Sequence, residues 1–188
     1  DTSVVISEGE VLELNNDKDP TINEEIYLNV INGKTASLFS AACQVGGMSA
    51  KVDQEKVNAL KSFGTNFGIS FQLIDDAIDY SSSSMTLGKN VGDDFKEGKV
   101  TLPIILAYLR SNNNEKKFWM KTIEHLNQDK NDLKKAVEII NKYNCIEDTI
   151  ERAKHFANIA KDSLGVFQET IHKKTLINIV NSGLSRLS

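Results

Sequence analysis

"FQLIDDAIDY", residues 71–80, sets Asp75, Asp76 and Asp79 among Phe71, Leu73, Ile74, Ala77 and Ile78. Acidic side chains at this density repel one another and are seldom buried without partners. On a helix, Gln72 and the three aspartates share an arc of roughly 100°. Phe67, Phe71, Ile74 and Ile78 form the neighbouring apolar stripe, and Leu73 and Ala77 lie on the opposite side. A helix that is apolar nearly all round belongs inside a bundle, so the acidic strip is expected to face an internal cavity. One turn apart, Asp75 and Asp79 can present carboxylates to one hard divalent cation. Mg²⁺ takes one or two carboxylates together with waters and phosphate oxygens. The competing reading is a solvated acidic face, which is what most acidic clusters on helices are.

Outward from this stretch the chain keeps a helical period, and no segment alternates as a strand would. "TINE" at 21–24 has capping-box spacing, predicting a helix from Thr21 to about Val45 that "GG" at 46–47 ends. Asp53 is placed to cap the aspartate helix, which fades into "SSSS" at 81–84. Thr101 begins another helix with Pro103 in its first turn, where a missing N–H does no harm. Shorter helices are predicted over 115–126 and 131–142. A longer one starts near Asn144, with Ile146, Ile150, Ala153, Ala157, Ala160 and Leu164 as its packed stripe, and a last one covers 168–183. The expectation is one all-α domain, a helical bundle over residues 1–188.

Composition narrows the function. The 188 residues carry a net charge of -4, which argues against a nucleic-acid-binding stripe. Cys43 and Cys145 form no CxxC and follow no signal peptide, as suits a reducing cytoplasm. No apolar run approaches the roughly 20 residues that a membrane span needs. The chain opens on "DTSVVISEGEVLEL" without a methionine, so a piece of a longer protein is expected. No histidine or serine constellation points to nucleophilic hydrolysis. Glu169 and His172 make a single Glu-x-x-His step, where a di-iron bundle needs two.

Two further signals join the aspartates. Lys34 falls at the centre of the stripe Tyr27, Val30, Ile31, Leu38, Ala41 and Val45, and an inward lysine needs an anion. Thr35 offers a hydroxyl to the same anion, while the alternative is a lysine that snorkels to solvent. Residues 88–99, "GKNVGDDFKEGK", set Lys89 and Lys99 around Asp93, Asp94 and Glu97, inside an aperiodic stretch from Ser81 to about Val100. Long irregular connections of this kind are often functional. Lysines supply point charges for phosphate, and Asp94 can add a metal ligand. Cations and a carboxylate-held metal converging on a polyanion point to a diphosphate.

"GKTA" at 33–36, "FQLIDDAID" at 71–79 and "GKNVGDDFKEGKVTLP" at 88–103 resemble, in order and spacing, the trans-isoprenyl diphosphate synthases. The early "GEVLEL" also fits, and the third motif is most similar to the long-chain bacterial polyprenyl synthases that make quinone side chains. The resemblance implies the isoprenoid-synthase helical bundle and Mg²⁺ as cofactor. It implies allylic and isopentenyl diphosphates as substrates, and a homodimer for the full-length enzyme. Residue by residue, it assigns Lys34, Thr35, Gln72, Lys89 and Lys99 to the allylic diphosphate, with Lys34, Asp75 and Lys89 catalytic. Asp75, Asp76 and Asp79 match the second aspartate-rich motif, Asp75 being the direct metal ligand, and Asp94 supports that metal. The family's first aspartate-rich motif and the basic residues upstream of it do not occur here. The resemblance therefore implies the C-terminal portion of such an enzyme, inactive by itself. The alternatives are a non-catalytic ligand-binding subunit of a heteromeric prenyl synthase, and a helical scaffold without a ligand.

Overall fold

The computed structural model describes residues 1–81 and 92–187, and among these every regular element is helical. The expected all-α bundle is found. In chain order the elements are α1 (Thr2–Asn16), α2 (Glu24–Ile31), a π-helical turn (Asn32–Ala36), α3 (Ser37–Ser49), α4 (Gln54–Asp79) and α5 (Asp93–Glu97). There follow α6 (Leu102–Arg110), α7 (Asn113–Trp119), a second π-helical turn (Met120–Glu124), α8 (Asp132–Lys142) and α9 (Cys145–Ser163). A 3₁₀ turn (Leu164–Val166), α10 (Ile171–Leu184) and a last 3₁₀ turn (Ser185–Leu187) complete the order.

Local chemistry sets the boundaries. Asp53 caps α4 by accepting from the Lys56 N–H at 2.9 Å. The α2 cap is Asn23, which accepts from Ile26 N–H, rather than the expected Thr21. The Thr21 hydroxyl and amide both bond to Asp19, which draws it into the preceding turn. The glycines at 46–47 do not stop α3, which runs on to Ser49. Thr101 occupies the cap position of α6 without a side-chain bond to the helix, and Pro103 sits in the first turn as expected. The α9 stripe packs as read, with Ile146, Ala153, Ala157, Ala160 and Leu164 all buried.

The centre of the bundle is the C-terminal half of α4. Leu73, Ile74, Ala77 and Ile78 are fully buried, and each large aliphatic among them contributes roughly 1.5–3 kcal/mol. Their cluster includes Phe95, Leu102, Ile104, Trp119 and Ile140 from the later helices. Ser70 ties α4 to α9 through a 2.8 Å bond to the Ala153 carbonyl.

The expected inner stripe around Lys34 is corrected by the π turn. Tyr27, Val30 and Ile31 are buried as read, but Leu38 and Val45 are 59% and 58% exposed. A π turn inserts a residue into the helical repeat, so the face that is inward before residue 32 rotates outward after residue 36. Ala36, Ser40 and Gly47 face inward instead. The turn itself is gripped from two sides. A Cβ on Gly9 of α1 would stand 2.5 Å from the main-chain nitrogen of Lys34, and one on Gly68 of α4 would stand 2.6 Å from Ala36 Cα. Only glycine permits approaches this close.

Candidate functional site

A cavity of about 360 Å³ opens among α1, α2, the first π turn, α4 and the segment around α5. Lys34 and Thr35 enter it from the π turn, Gln72, Asp75 and Asp76 from α4, and Asp94 and Lys99 from the α5 region. Seven of the nine residues singled out from sequence thus line one cavity. Asp79 is not among its lining residues, and Lys89 lies outside the described residues.

A hydrogen-bonded chain crosses the back wall. The Thr35 hydroxyl donates to Gln72 Oε1 at 3.0 Å, Gln72 Nε2 donates to Asp76 Oδ1 at 2.8 Å, and the Tyr27 hydroxyl donates to Asp76 Oδ2 at 2.6 Å. Asp76 is 4% exposed, and both of its oxygens accept bonds. Burial pushes its carboxyl up to about 7, against the pull of the Tyr27 bond, with the charges of Asp94 and Asp75 adding to the rise. Burial, and then the Asp76 charge, likewise raise the Tyr27 hydroxyl well above its ordinary value.

Asp79 serves the neighbouring backbone. Its carboxylate accepts from the Asp94 N–H at 3.2 Å, and its carbonyl accepts from the Gly92 N–H at 2.8 Å. Asp79 therefore sets where Asp94 enters the cavity. Burial and the Asp79 charge lift the Asp94 carboxyl to about 6, opposed by Lys99 at 3.8 Å. Lys99 also pairs with Glu97 at 2.7 Å. The anion expected beside Lys34 is Glu13, whose Oε2 lies 2.6 Å from the ammonium, with both side chains more than a third exposed. Asp75 accepts from Arg186 Nη2 at 3.0 Å.

Three contributors escaped the sequence reading. Tyr27 reads only as core in the sequence, because apolar periodicity does not register its hydroxyl. Glu13 sits inside the quoted "GEVLEL", and its spacing from Lys34 becomes a contact only when α1 docks. Arg186 carries no local signal at all.

The oxygen donors here suit a hard divalent cation. Asp75 and Asp94 line the same cavity, and burial with neighbouring negative charge makes the ionised Asp94 unfavourable until a cation arrives. Among the described residues no three acidic, histidine or cysteine side chains form a ready-made metal cage. A cation at Asp75 and Asp94 would take its remaining ligands from water or from a bound anion, as Mg²⁺ commonly does.

Residues 1–140 match the Polyprenyl synthetase family. The chain is 40% identical over 182 residues to octaprenyl diphosphate synthase of Escherichia coli, covering 97% of this chain and 56% of that protein. The structure superposes on a decaprenyl diphosphate synthase from Rhodobacter capsulatus with a TM-score of 0.94 and 37% identity, covering all of this chain and 57% of the other. A polyprenyl synthase from Caulobacter crescentus, solved with calcium and isoprenyl diphosphate, also gives 0.94 at 41% identity, with the same coverage. The chain thus spans little more than half the length of these relatives.

Proposed function

The chain belongs to the polyprenyl synthetase family, and from that premise we propose that it forms the allylic-diphosphate half of a trans-polyprenyl diphosphate synthase. The observation that carries this reading is the convergence of Lys34, Thr35, Gln72, Asp75, Asp94 and Lys99 on one cavity from three separate segments. The calcium and isoprenyl diphosphate of the Caulobacter crescentus relative are the kinds of ligand that such a set would hold.

In this reading Lys34 and Lys99 exchange Glu13 and Glu97 for the oxygens of the diphosphate, while Lys89 adds a further cation. Gln72 is held by Asp76 and presents its remaining N–H to the same anion. Asp75, with Asp94 beside it, holds Mg²⁺. Asp76 and Asp79 act behind them, one fixing Gln72 and the other fixing Asp94. Bound Mg²⁺ would supply positive charge to the leaving diphosphate. The lysines stabilise that same charge as the C1–O bond of the allylic substrate breaks. The double bond of isopentenyl diphosphate attacks C1, and loss of a proton restores a double bond in the lengthened chain. The octaprenyl and decaprenyl relatives favour a long-chain product of the kind used in quinone side chains.

Assembly and surroundings follow the same reading. A homodimer of the full-length enzyme in the cytoplasm is proposed. Val4, Val11 and Leu14 on α1 and Leu38, Val45 and Met48 on α3 are exposed apolar residues that further helices would cover. No described helix is long and apolar enough to cross a membrane.

Titration calorimetry of the chain with a non-reactive allylic thiolodiphosphate, with and without Mg²⁺, tests the reading. Binding that requires Mg²⁺ and weakens in Lys34→Met and Asp75→Ala supports it. Absence of binding, or binding indifferent to all three changes, overturns it.

A further inference from the structure

After α10 the chain makes a 3₁₀ turn, Ser185–Leu187, that returns Arg186 to α4. Its Nη2 donates to Asp75 Oδ1 at 3.0 Å across 111 positions of sequence. The guanidinium also lies over the Phe71 ring, 5.1 Å from its centroid. Phe71 and Asp75 are one helical turn apart, so the planar group stacks on one and pairs with the other. Arg186 therefore covers the stretch of α4 that presents Asp75 to the cavity.

The pair is not a fully satisfied structural bridge. Nη1 of Arg186 is buried and has no hydrogen-bond partner among the described residues, and a desolvated donor left unpaired weakens the arrangement that holds it. A bidentate fork on the carboxylate would use both terminal nitrogens. Among the described residues one terminal nitrogen is engaged and the other is not, and the contact depends on a single short turn.

We propose that Arg186 is a positioning residue for the metal-facing carboxylate, holding Asp75 in place before a divalent cation binds and yielding it when the cation arrives. This rests on the reading of Asp75 as a metal ligand. The guanidinium offsets the charge that Asp75 adds beside Asp76 and Asp94, and its stacking on Phe71 fixes the direction from which it withdraws. Affinity for the cation is then set by a contest between guanidinium and metal for one carboxylate. By linkage, whatever the cation loses to Arg186 it returns by loosening the Ser185–Leu187 turn to the same degree.

The test is Mn²⁺ binding in the presence of inorganic pyrophosphate, read from the paramagnetic resonance signal of free Mn²⁺. Wild type, Arg186→Gln, Arg186→Lys and Asp75→Asn are compared. Arg186→Gln is expected to bind Mn²⁺ about 3- to 10-fold tighter. Arg186→Lys keeps the charge but loses the planar stacking, so it should shift the same way by less, and it carries the test if the glutamine variant does not fold. In wild type, saturating Mn²⁺ should speed hydrogen exchange of the amides from Gly183 to Leu187. Unchanged or weaker Mn²⁺ binding in both arginine variants, while Asp75→Asn still loses Mn²⁺, overturns the role of Arg186 alone. Full Mn²⁺ affinity in Asp75→Asn overturns the metal reading of Asp75, and the inference with it.

Discussion

The Tyr27 hydroxyl donates to Asp76 Oδ2 at 2.6 Å, joining two buried side chains 49 positions apart in sequence. Asp76 relays this contact through Gln72 to Thr35 on the π turn. Two cavity walls, one from α2 and the π turn and one from α4, are thereby held in a fixed relation by side-chain hydrogen bonds as well as by packing.

Replacing Tyr27 by Phe deletes only the donor. Above about pH 7, where Asp76 is ionised, a hydrogen bond to it contributes about 1.5–3 kcal/mol, and loss of this one leaves a buried carboxylate oxygen unpaired. Urea denaturation should show a loss of stability in that range. Affinity for pyrophosphate with Mg²⁺ should also fall, because Gln72 is no longer fixed. Unaltered stability would mean that Asp76 does not depend on Tyr27.

The raised Asp76 carboxyl predicts a pH dependence of stability in metal-free buffer. The folded state holds this proton up to about pH 7, whereas the unfolded chain releases it near 3.8. Its contribution to stability is therefore fully present below about pH 4 and is lost as pH rises toward 7. Melting temperatures of wild type and Asp76→Asn across this window, with a chelator present, measure it. The difference between the two proteins should shift steadily in favour of the Asn variant as pH rises.

Lys34→Met should separate binding from stability. The Lys34–Glu13 pair is more than a third exposed on both sides, so its loss should change apo stability by no more than about 1 kcal/mol. A charge-assisted contact to diphosphate is larger, and affinity for the thiolodiphosphate should fall about 10- to 100-fold. Equal small effects on both would place Lys34 outside the site.

Gly68→Ala tests the grip on the π turn. Its new methyl would stand 2.6 Å from Ala36 Cα, so backbone must move, at about 1–3 kcal/mol or more. Gly165→Ala meets nothing within 4 Å and serves as the control. Thermal unfolding of the two variants should differ clearly, with diphosphate binding weakened only in the first.

The isolated 188-residue chain should not elongate prenyl chains. The matched stretch covers 56% of its Escherichia coli relative, and the first aspartate-rich motif of the family does not occur in these 188 residues. Incubation with an allylic diphosphate, isopentenyl diphosphate and Mg²⁺, followed by product extraction, checks this. Turnover comparable to that of a full-length synthase would contradict it.

Much of the fold was legible because it rests on local periodicity. The apolar surround of Asp76 and the stripe of α9 each announce a buried helix. The π turn at Asn32–Ala36 was not legible, since no composition marks an extra residue within a helical repeat. Unbroken periodicity accordingly puts Leu38 and Val45 on the inner face, and the structure has them exposed. The site residues were found where charge sat inside apolar sequence, as with Asp75 and Asp76. The partners Glu13 and Arg186 depend on docking between distant helices, which spacing along the chain does not encode.

The contact between α1 and the π turn has a consequence for divergence. Gly9 and Gly33 meet main chain to main chain, and a Cβ added to either would stand 3.1 Å or less from atoms of the opposite backbone. At Gly9 the backbone would have to move, whereas at Gly33 a shift of a few tenths of an ångström would relieve the contact. The placement of the ammonium at residue 34 is thus inherited through a side chain missing from α1, so mutational scanning should find Gly9 less tolerant of substitution than Gly33.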